Sequence, residues 1–143
     1  MSIYRCAGCG ALNRMPFAGP GPQACSRCRR LIDTTGRVQR VDATALVSAI
    51  RASPAPVLVD FEGREADAPG VDGLARARAG ELLVLRVDPG EEPAAAHAFG
   101  IEGVPTLVLF REGTEVARRR DLSASAELAA WVAGAAPEAA ERP

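Results

Sequence analysis

Four cysteines carry the sulfur chemistry of this chain, and all of them fall within the first 28 residues as two pairs, Cys6-Ala-Gly-Cys9 and Cys25-Ser-Arg-Cys28. Two Cys-x-x-Cys turns separated by 15 residues have the spacing of a four-thiolate metal site. Each turn places two thiolates on one side of an ion, and the second turn closes the other side. Such a site has no open position for water, so it stabilises a fold and does no Lewis-acid chemistry. Ala7, Gly8 and Gly10 keep the first turn small enough for backbone to bend around sulfur. Residues 15–22 (Met-Pro-Phe-Ala-Gly-Pro-Gly-Pro) are loop chemistry. A segment of about 40 residues of this kind cannot bury a self-sufficient core, so the metal would supply folding energy.

The expected occupant is one structural Zn²⁺ held by Cys6, Cys9, Cys25 and Cys28. Tetrahedral S4 also suits iron. Two disulfides, or two reducible dithiols, are the competing uses of the same residues. Disulfides are not expected, because Ser2-Ile3-Tyr4-Arg5 has no apolar leader region. No stretch approaches 18 apolar residues, so no membrane span is expected and the chain reads as cytoplasmic.

Among 143 residues there are 17 arginines, no lysine and a net charge of −1. Abundant alanine and missing lysine read as the codon usage of a GC-rich bacterial genome. The charge is divided: residues 1–41 carry seven Arg and one Asp, while residues 42–143 carry ten Arg and 17 acidic groups. A basic segment raises the question of nucleic acid. Few aromatics are present to stack bases, and no groove-entering helix is apparent, so nucleic acid is not expected as a partner. Arg27, Arg29 and Arg30 are expected to offset an anionic metal–thiolate centre or to face the acidic remainder.

The rest of the chain supplies alternating elements. Asp42 is a plausible N-cap for a helix over 43–52, with Leu46, Val47 and Ile50 on one face, ended by Ser53-Pro-Ala-Pro56. Val57-Leu-Val-Asp-Phe61 reads as a strand buried on both faces. A helix from 69 to about 79 turns Val71, Leu74 and Ala75 inward, and a second buried strand covers 82–87. A short helix over 92–99 ends at Gly100. Residues 106–110 and 115–119 form a hairpin about a tight turn at 111–114. Ser123 caps a last helix to about 133, with Leu128, Trp131 and Val132 as its apolar face. The pattern is α/β with a mixed sheet. The boundaries read as 1–36, 37–136 and a flexible tail, 137–143.

These residues carry a resemblance. Cys6-x-x-Cys9-Gly-Ala-Leu-Asn-Arg-Met-Pro16, followed by Cys25-x-x-Cys28, looks like the ribbon of the zinc-ribbon thioredoxins, the second type of bacterial thioredoxin. Val57-Leu-Val-Asp-Phe61 resembles the strand leading to the thioredoxin active site, and Gly100-Ile-Glu-Gly-Val-Pro-Thr-Leu-Val-Leu-Phe110 is similar to the segment with the family's cis-proline. The resemblance implies a thioredoxin fold, a mixed central sheet flanked by helices, behind a small N-terminal zinc ribbon. It implies that Asp60 and Arg86 are vestiges of the buried acid and its basic partner. It also implies that backbone at Val104, Pro105 and Thr106 pairs with an extended peptide. Pro105 is equally readable as only a rigid turn.

The departure lies between these segments. Members carry Trp-Cys-Gly-Pro-Cys after the Asp-Phe, whereas Asp60-Phe61 is followed by Glu62-Gly-Arg-Glu-Ala-Asp-Ala-Pro69. Matching Ala68-Pro69 to the family's Ala-Pro leaves about five residues deleted. Dithiol exchange needs an attacking thiolate and a resolving thiol, and residues 62–67 offer neither. The expectation is therefore a redox-inactive protein-interaction or chaperone-like module with a protein or peptide client. The alternative is a thiol–disulfide oxidoreductase using the ribbon cysteines. Glu62, Glu65 and Asp67 read as a solvated loop, His97 as an exposed residue and Trp131 as a core anchor.

Overall fold

The computed structural model describes residues 2–15, 22–121 and 124–135. Ser123, the tail from 137 and most of the proline-rich loop at 15–22 lie outside the described residues. A two-stranded antiparallel sheet opens the chain: β1 (Ser2–Arg5) pairs with β2 (Leu12–Met15). Its small core gathers Cys6, Met15, Cys25 and Ile32. There follow β3 (Gln39–Arg40), α1 (Ala43–Ala52), β4 (Val57–Phe61), α2 (Pro69–Ala77) and β5 (Leu83–Val87). Then come α3 (Pro93–Ala98), β6 (Thr106–Arg111), β7 (Thr114–Arg119) and α4 (Ser125–Ala135).

The five-stranded sheet has the order β3-β5-β4-β6-β7. Strands β3, β5 and β4 run parallel, and β6 and β7 return antiparallel. The apolar run of β4 is buried at every residue because both faces are covered. Alternation sends Val57, Val59 and Phe61 to one core, with Leu46 and Ile50 of α1 and Ala95 of α3. Leu58 goes to the other, with Val71 and Leu74 of α2 and Leu128 and Val132 of α4. Each core residue of this size contributes about 1.5–3 kcal/mol on burial.

Local chemistry sets the helix ends. The Asp42 carboxylate accepts from the Ala45 N–H 2.8 Å away, satisfying one orphan donor of α1. Pro69 stands in the first turn of α2, where its missing N–H costs nothing. Trp131 is only half-buried; it packs at the edge of the second core, with the Arg119 guanidinium 5.4 Å above its ring. It closes a core margin and is less central than its size suggests.

The N-terminal sheet docks through main chain and through a glycine. Ile3 N–H donates to Gly80 O over 2.8 Å. Gly80 has φ +84°, and a Cβ there would meet Ser2 and the Tyr4 hydroxyl at 2.8 Å, so only glycine admits this approach. Gly80 precedes the start of β5, where Leu83 pairs with Val57 at the start of β4. From there the segment runs along the β3 edge, where Arg5 bonds Gln39, which pairs with Leu85 in the middle of β5; Phe61 and Thr106 pair at the far end of β4. Among the described residues no helix is long and apolar enough to cross a membrane.

Candidate functional site

Two clusters hold the residues that could do chemistry. In the first, Cys6, Cys9, Cys25 and Cys28 bring their sulfurs within 4.8 Å of one another. Cys6 Sγ lies 3.6 Å from Cys28 Sγ, and Cys9 Sγ lies 3.6 Å from Cys25 Sγ. Metal–sulfur bonds of about 2.3 Å at tetrahedral angles put neighbouring sulfurs about 3.8 Å apart. A disulfide needs about 2.0 Å. The four thiols thus fit a tetrahedral ion and can hold one.

The two turns repeat one backbone design. Gly10 N–H donates to Cys6 O, and Cys6 N–H donates to Ala11 O; Arg29 N–H donates to Cys25 O, and Cys25 N–H to Arg30 O. The fourth residue after each leading cysteine is left-handed: Gly10 at φ +80° and Arg29 at φ +69°. Asn13 links the turns. Buried on β2, it donates to Ala11 O and to Cys25 Sγ, while its carbonyl accepts from the Ser26 N–H and hydroxyl. Its position in the motif gave no hint of this role; a polar side chain alternating inward with Met15 was the available signal.

Backbone N–H groups of Cys28 and Arg27, with the Asn13 amide, outweigh burial and draw the Cys25 thiol down to about 6. At Cys9 the Ala11 N–H favours the thiolate, but burial and the neighbouring sulfurs prevail, and the thiol is pushed up to about 11. Adjacent thiolates resist joint deprotonation, which a bound cation would relieve. Arg27, Arg29 and Arg30 are exposed and make no ion pair among the described residues.

The second cluster lies near the far end of β4. Asp60 and Glu62 are both sealed from solvent. Arg86 Nε of β5 is 2.9 Å from Asp60 Oδ2 and 2.9 Å from Glu62 Oε1, and its Nη2 is 3.2 Å from Asp72 Oδ1 on α2. The pairing of Asp60 with Arg86 follows from their opposition across β4 and β5. Glu62 departs from the expectation of a solvated loop with Glu65 and Asp67. Its N–H bonds Val87 O, so the strand geometry runs on past Phe61. The same alternation that buries Leu58 and Asp60 then turns Glu62 inward. Glu65 and Asp67 are exposed, as is His97.

Burial raises the Asp60 carboxyl above its ordinary value, against the pull of Glu62 and Arg86. Burial, then the Asp60 charge, pushes Glu62 up to about 7, against Arg86. Asp60 Oδ1 and both Glu62 oxygens have no hydrogen-bond donor in their ionised form. A proton kept by the pair supplies one.

Beside this cluster the Val104–Pro105 peptide is cis. Val104 is 52% exposed, whereas Thr106 is buried and donates its hydroxyl to Gly103 O over 2.6 Å. Phe61 pairs with Thr106, so Val104, Pro105 and Thr106 stand next to Asp60 and Glu62 at one end of the sheet. The cysteines are not part of this arrangement.

The thioredoxin family model matches residues 37–134. Among curated proteins, thioredoxin 1 of a Nostoc species is 38% identical over 69 residues, 45% of this chain and 64% of its own length. The chain therefore covers less than two thirds of that relative. Thioredoxin C-3 of Corynebacterium nephridii is 27% identical over 136 residues, covering 91% of this chain and 92% of its own. An alignment of that extent reaches into the cysteine-bearing segment. Of solved structures, a mutant thioredoxin from Halobacterium salinarum superposes with a TM-score of 0.62 at 24% identity, over 74% of this chain and 96% of its own. It bears on the fold alone: the mixed central sheet flanked by helices is shared.

Proposed function

The chain belongs to the thioredoxin family, and from that premise we propose a zinc-binding, thioredoxin-like protein with a non-catalytic role as a protein-interaction or chaperone-like module. One observation carries the reading. All four cysteines of the chain are gathered in one cluster, in the segment that precedes β3. The loop at 62–67, where the resemblance places a dithiol, holds no cysteine. Carboxylates and a guanidinium form no reversible bond to sulfur, so thiol–disulfide exchange has no attacking or resolving group there. That loop is tied down instead. Arg64 N–H donates to Asp88 Oδ2 at 3.1 Å, and its Nε reaches Glu91 Oε1 at 3.1 Å.

Cys6, Cys9, Cys25 and Cys28 would hold one Zn²⁺. Its contribution is folding free energy for a segment with a very small core. Client binding is assigned to Val104, Pro105 and Thr106, where Val104 is exposed and an extended peptide would add as a strand. Insulin-disulfide reduction with dithiothreitol tests the non-catalytic part, with no acceleration over the uncatalysed rate expected. Suppression of aggregation of a reduced, unfolding test protein at near-stoichiometric amounts tests the client-binding part.

The relatives' name, thioredoxin, favours a second reading, a thiol–disulfide oxidoreductase, which in this chain would have to act through the ribbon cysteines. It requires metal loss and then reversible Cys6–Cys9 or Cys25–Cys28 disulfides. Zinc retained under mild oxidant counts against it.

A further inference from the structure

Between the cysteine-bearing segment and α1 lies a cleft of about 600 Å³. None of its lining residues belongs to the Phe61–Pro105 end, and it plays no part in the role proposed for that end. Three arginines from separate segments converge on it: Arg5 from β1, Arg14 from β2 and Arg27 from the second cysteine turn. No acidic residue and no aromatic residue lines it. Its floor is apolar, built from Leu12 and from Ala45, Ala49 and Ala52 of α1. We propose that this cleft binds an amphipathic organic anion, with a carboxylate or phosphate head on the arginines and a small apolar body against α1.

Charge and pre-organisation support the head group. Arg5 is fixed before any ligand arrives: its Nη1 donates to Gln39 Oε1 over 2.6 Å, and Gln39 Nε2 donates back to Arg5 O over 2.8 Å. Among the described residues none of the three arginines is ion-paired, although Arg64, Arg78, Arg86, Arg118 and Arg119 all find carboxylates. Arg5 is partly buried and has Cys6, Asp42 and Cys9 as its charged or ionisable neighbours. Arg14 and Arg27 are exposed and leave two guanidinium forks for an oxyanion.

Size and lining select the rest of the ligand. The volume lies in the usual range of small-molecule sites, about 300–1,000 Å³. A bare inorganic ion would leave the alanine floor wet. A nucleic-acid strand would find no aromatic platform and a bounded cleft in place of a continuous groove. The site is built from both units of the chain, so an occupant touches both.

The test is isothermal titration of the zinc-loaded full chain with four probes: phenyl phosphate, 3-phenylpropionate, inorganic phosphate and 3-phenylpropanol. The first two separate a phosphate from a carboxylate head. At least one should bind with 1:1 stoichiometry, about tenfold or more tighter than inorganic phosphate, and the alcohol should not bind. The double variant R14E/R27E should lose tenfold or more in affinity at unchanged zinc content. Ser48→Trp should do the same without changing charge, because Ser48 is exposed on the α1 wall and the indole fills the cleft. The proposal is overturned if neither organic anion binds in the millimolar range. It is equally overturned if binding survives Ser48→Trp, or if a single-stranded oligonucleotide binds and is indifferent to that substitution, since either describes a diffuse cationic surface.

Discussion

Glu62 and Asp60 stand two residues apart on one face of the extended β4 strand, buried, with a single guanidinium atom, Arg86 Nε, 2.9 Å from an oxygen of each. Three carboxylates, counting Asp72, surround that one cation. Full ionisation of the cluster would bury uncompensated negative charge, which is costly in a low-dielectric interior. The pair avoids that cost by retaining a proton.

The retained proton links stability to pH. Glu62 titrates near 7 in the folded protein against 4.5 ordinarily, and Asp60 is displaced in the same direction. Between these values the folded state holds a proton that the unfolded chain has released. Stability is therefore fully present below about pH 4.5 for this group and is lost as pH rises through 7. Urea unfolding between pH 5 and 8 should show the decline. Glu62→Gln keeps a donor for Asp60 and removes the titration, so its profile should be flatter and its stability at pH 8 higher. A parent profile that is level and parallel to that of Glu62→Gln would refute the shared proton.

Arg86 is the only cation within ion-pair distance of Asp60 and Glu62 among the described residues. Arg86→Met should cost about 3–5 kcal/mol at pH 7, because it strands buried carboxylates. The penalty should shrink at pH 5, where the carboxyls are more fully protonated. Arg86→Lys should fall between parent and Arg86→Met, since one ammonium cannot reproduce the fork that reaches Asp60 and Asp72 together. An Arg86→Met penalty independent of pH would assign the loss to packing alone.

Local chemistry made some of this legible in the sequence. The bounds of α1 follow from the Asp42 cap and Ser53-Pro54, and those of β4 from a continuous β-prone run. The cysteine cluster follows from spacing. Glu62 escapes a sequence reading that gives charge more weight than strand alternation, and the alternation continues one residue past that run. Asn13 and the arginine cleft were not legible for a different reason. The partners of Asn13 at Cys25 and Ser26 lie in the second cysteine turn, which spacing alone does not tie to β2; the cleft needs residues far apart in sequence, as with Arg5 and Gln39, 34 residues apart, which docking at Gly80 and Gln39 brings together. The resemblance located Pro105 beside the end of β4, which no periodicity in residues 100–105 would have done.

Asn13 braces the two cysteine turns from behind, through Ala11 O, Cys25 Sγ and the Ser26 N–H. Groups that orient metal ligands in this way are typically worth about 10–100-fold in affinity. Asn13→Ala should therefore weaken zinc binding by at least tenfold in a chelator competition, while the stoichiometry stays at one ion per chain. Asn13→Ser, which keeps a short polar group, should lose less. Unchanged affinity in Asn13→Ala would show that the two turns hold their geometry unaided.

Arg29 and Gly10 occupy equivalent places in the two turns, both left-handed, and only one of them is a glycine. A side chain in that conformation costs about 1–2 kcal/mol. Glycine has no such penalty there, although it loses more entropy on folding. The cost at Arg29 is local, since its side chain is exposed and unpaired among the described residues. Arg29→Gly should accordingly stabilise the zinc-bound segment by up to about 1 kcal/mol, seen as slower zinc loss to a chelator and slower amide exchange at Cys25 and Ile32. Gly10→Ala should act in the opposite sense by a similar amount, with the Arg5 guanidinium 3.1 Å from the added methyl. If the two substitutions shift zinc retention in the same direction, the equivalence of the turns fails, because their backbone bonds would then be carrying unequal strain.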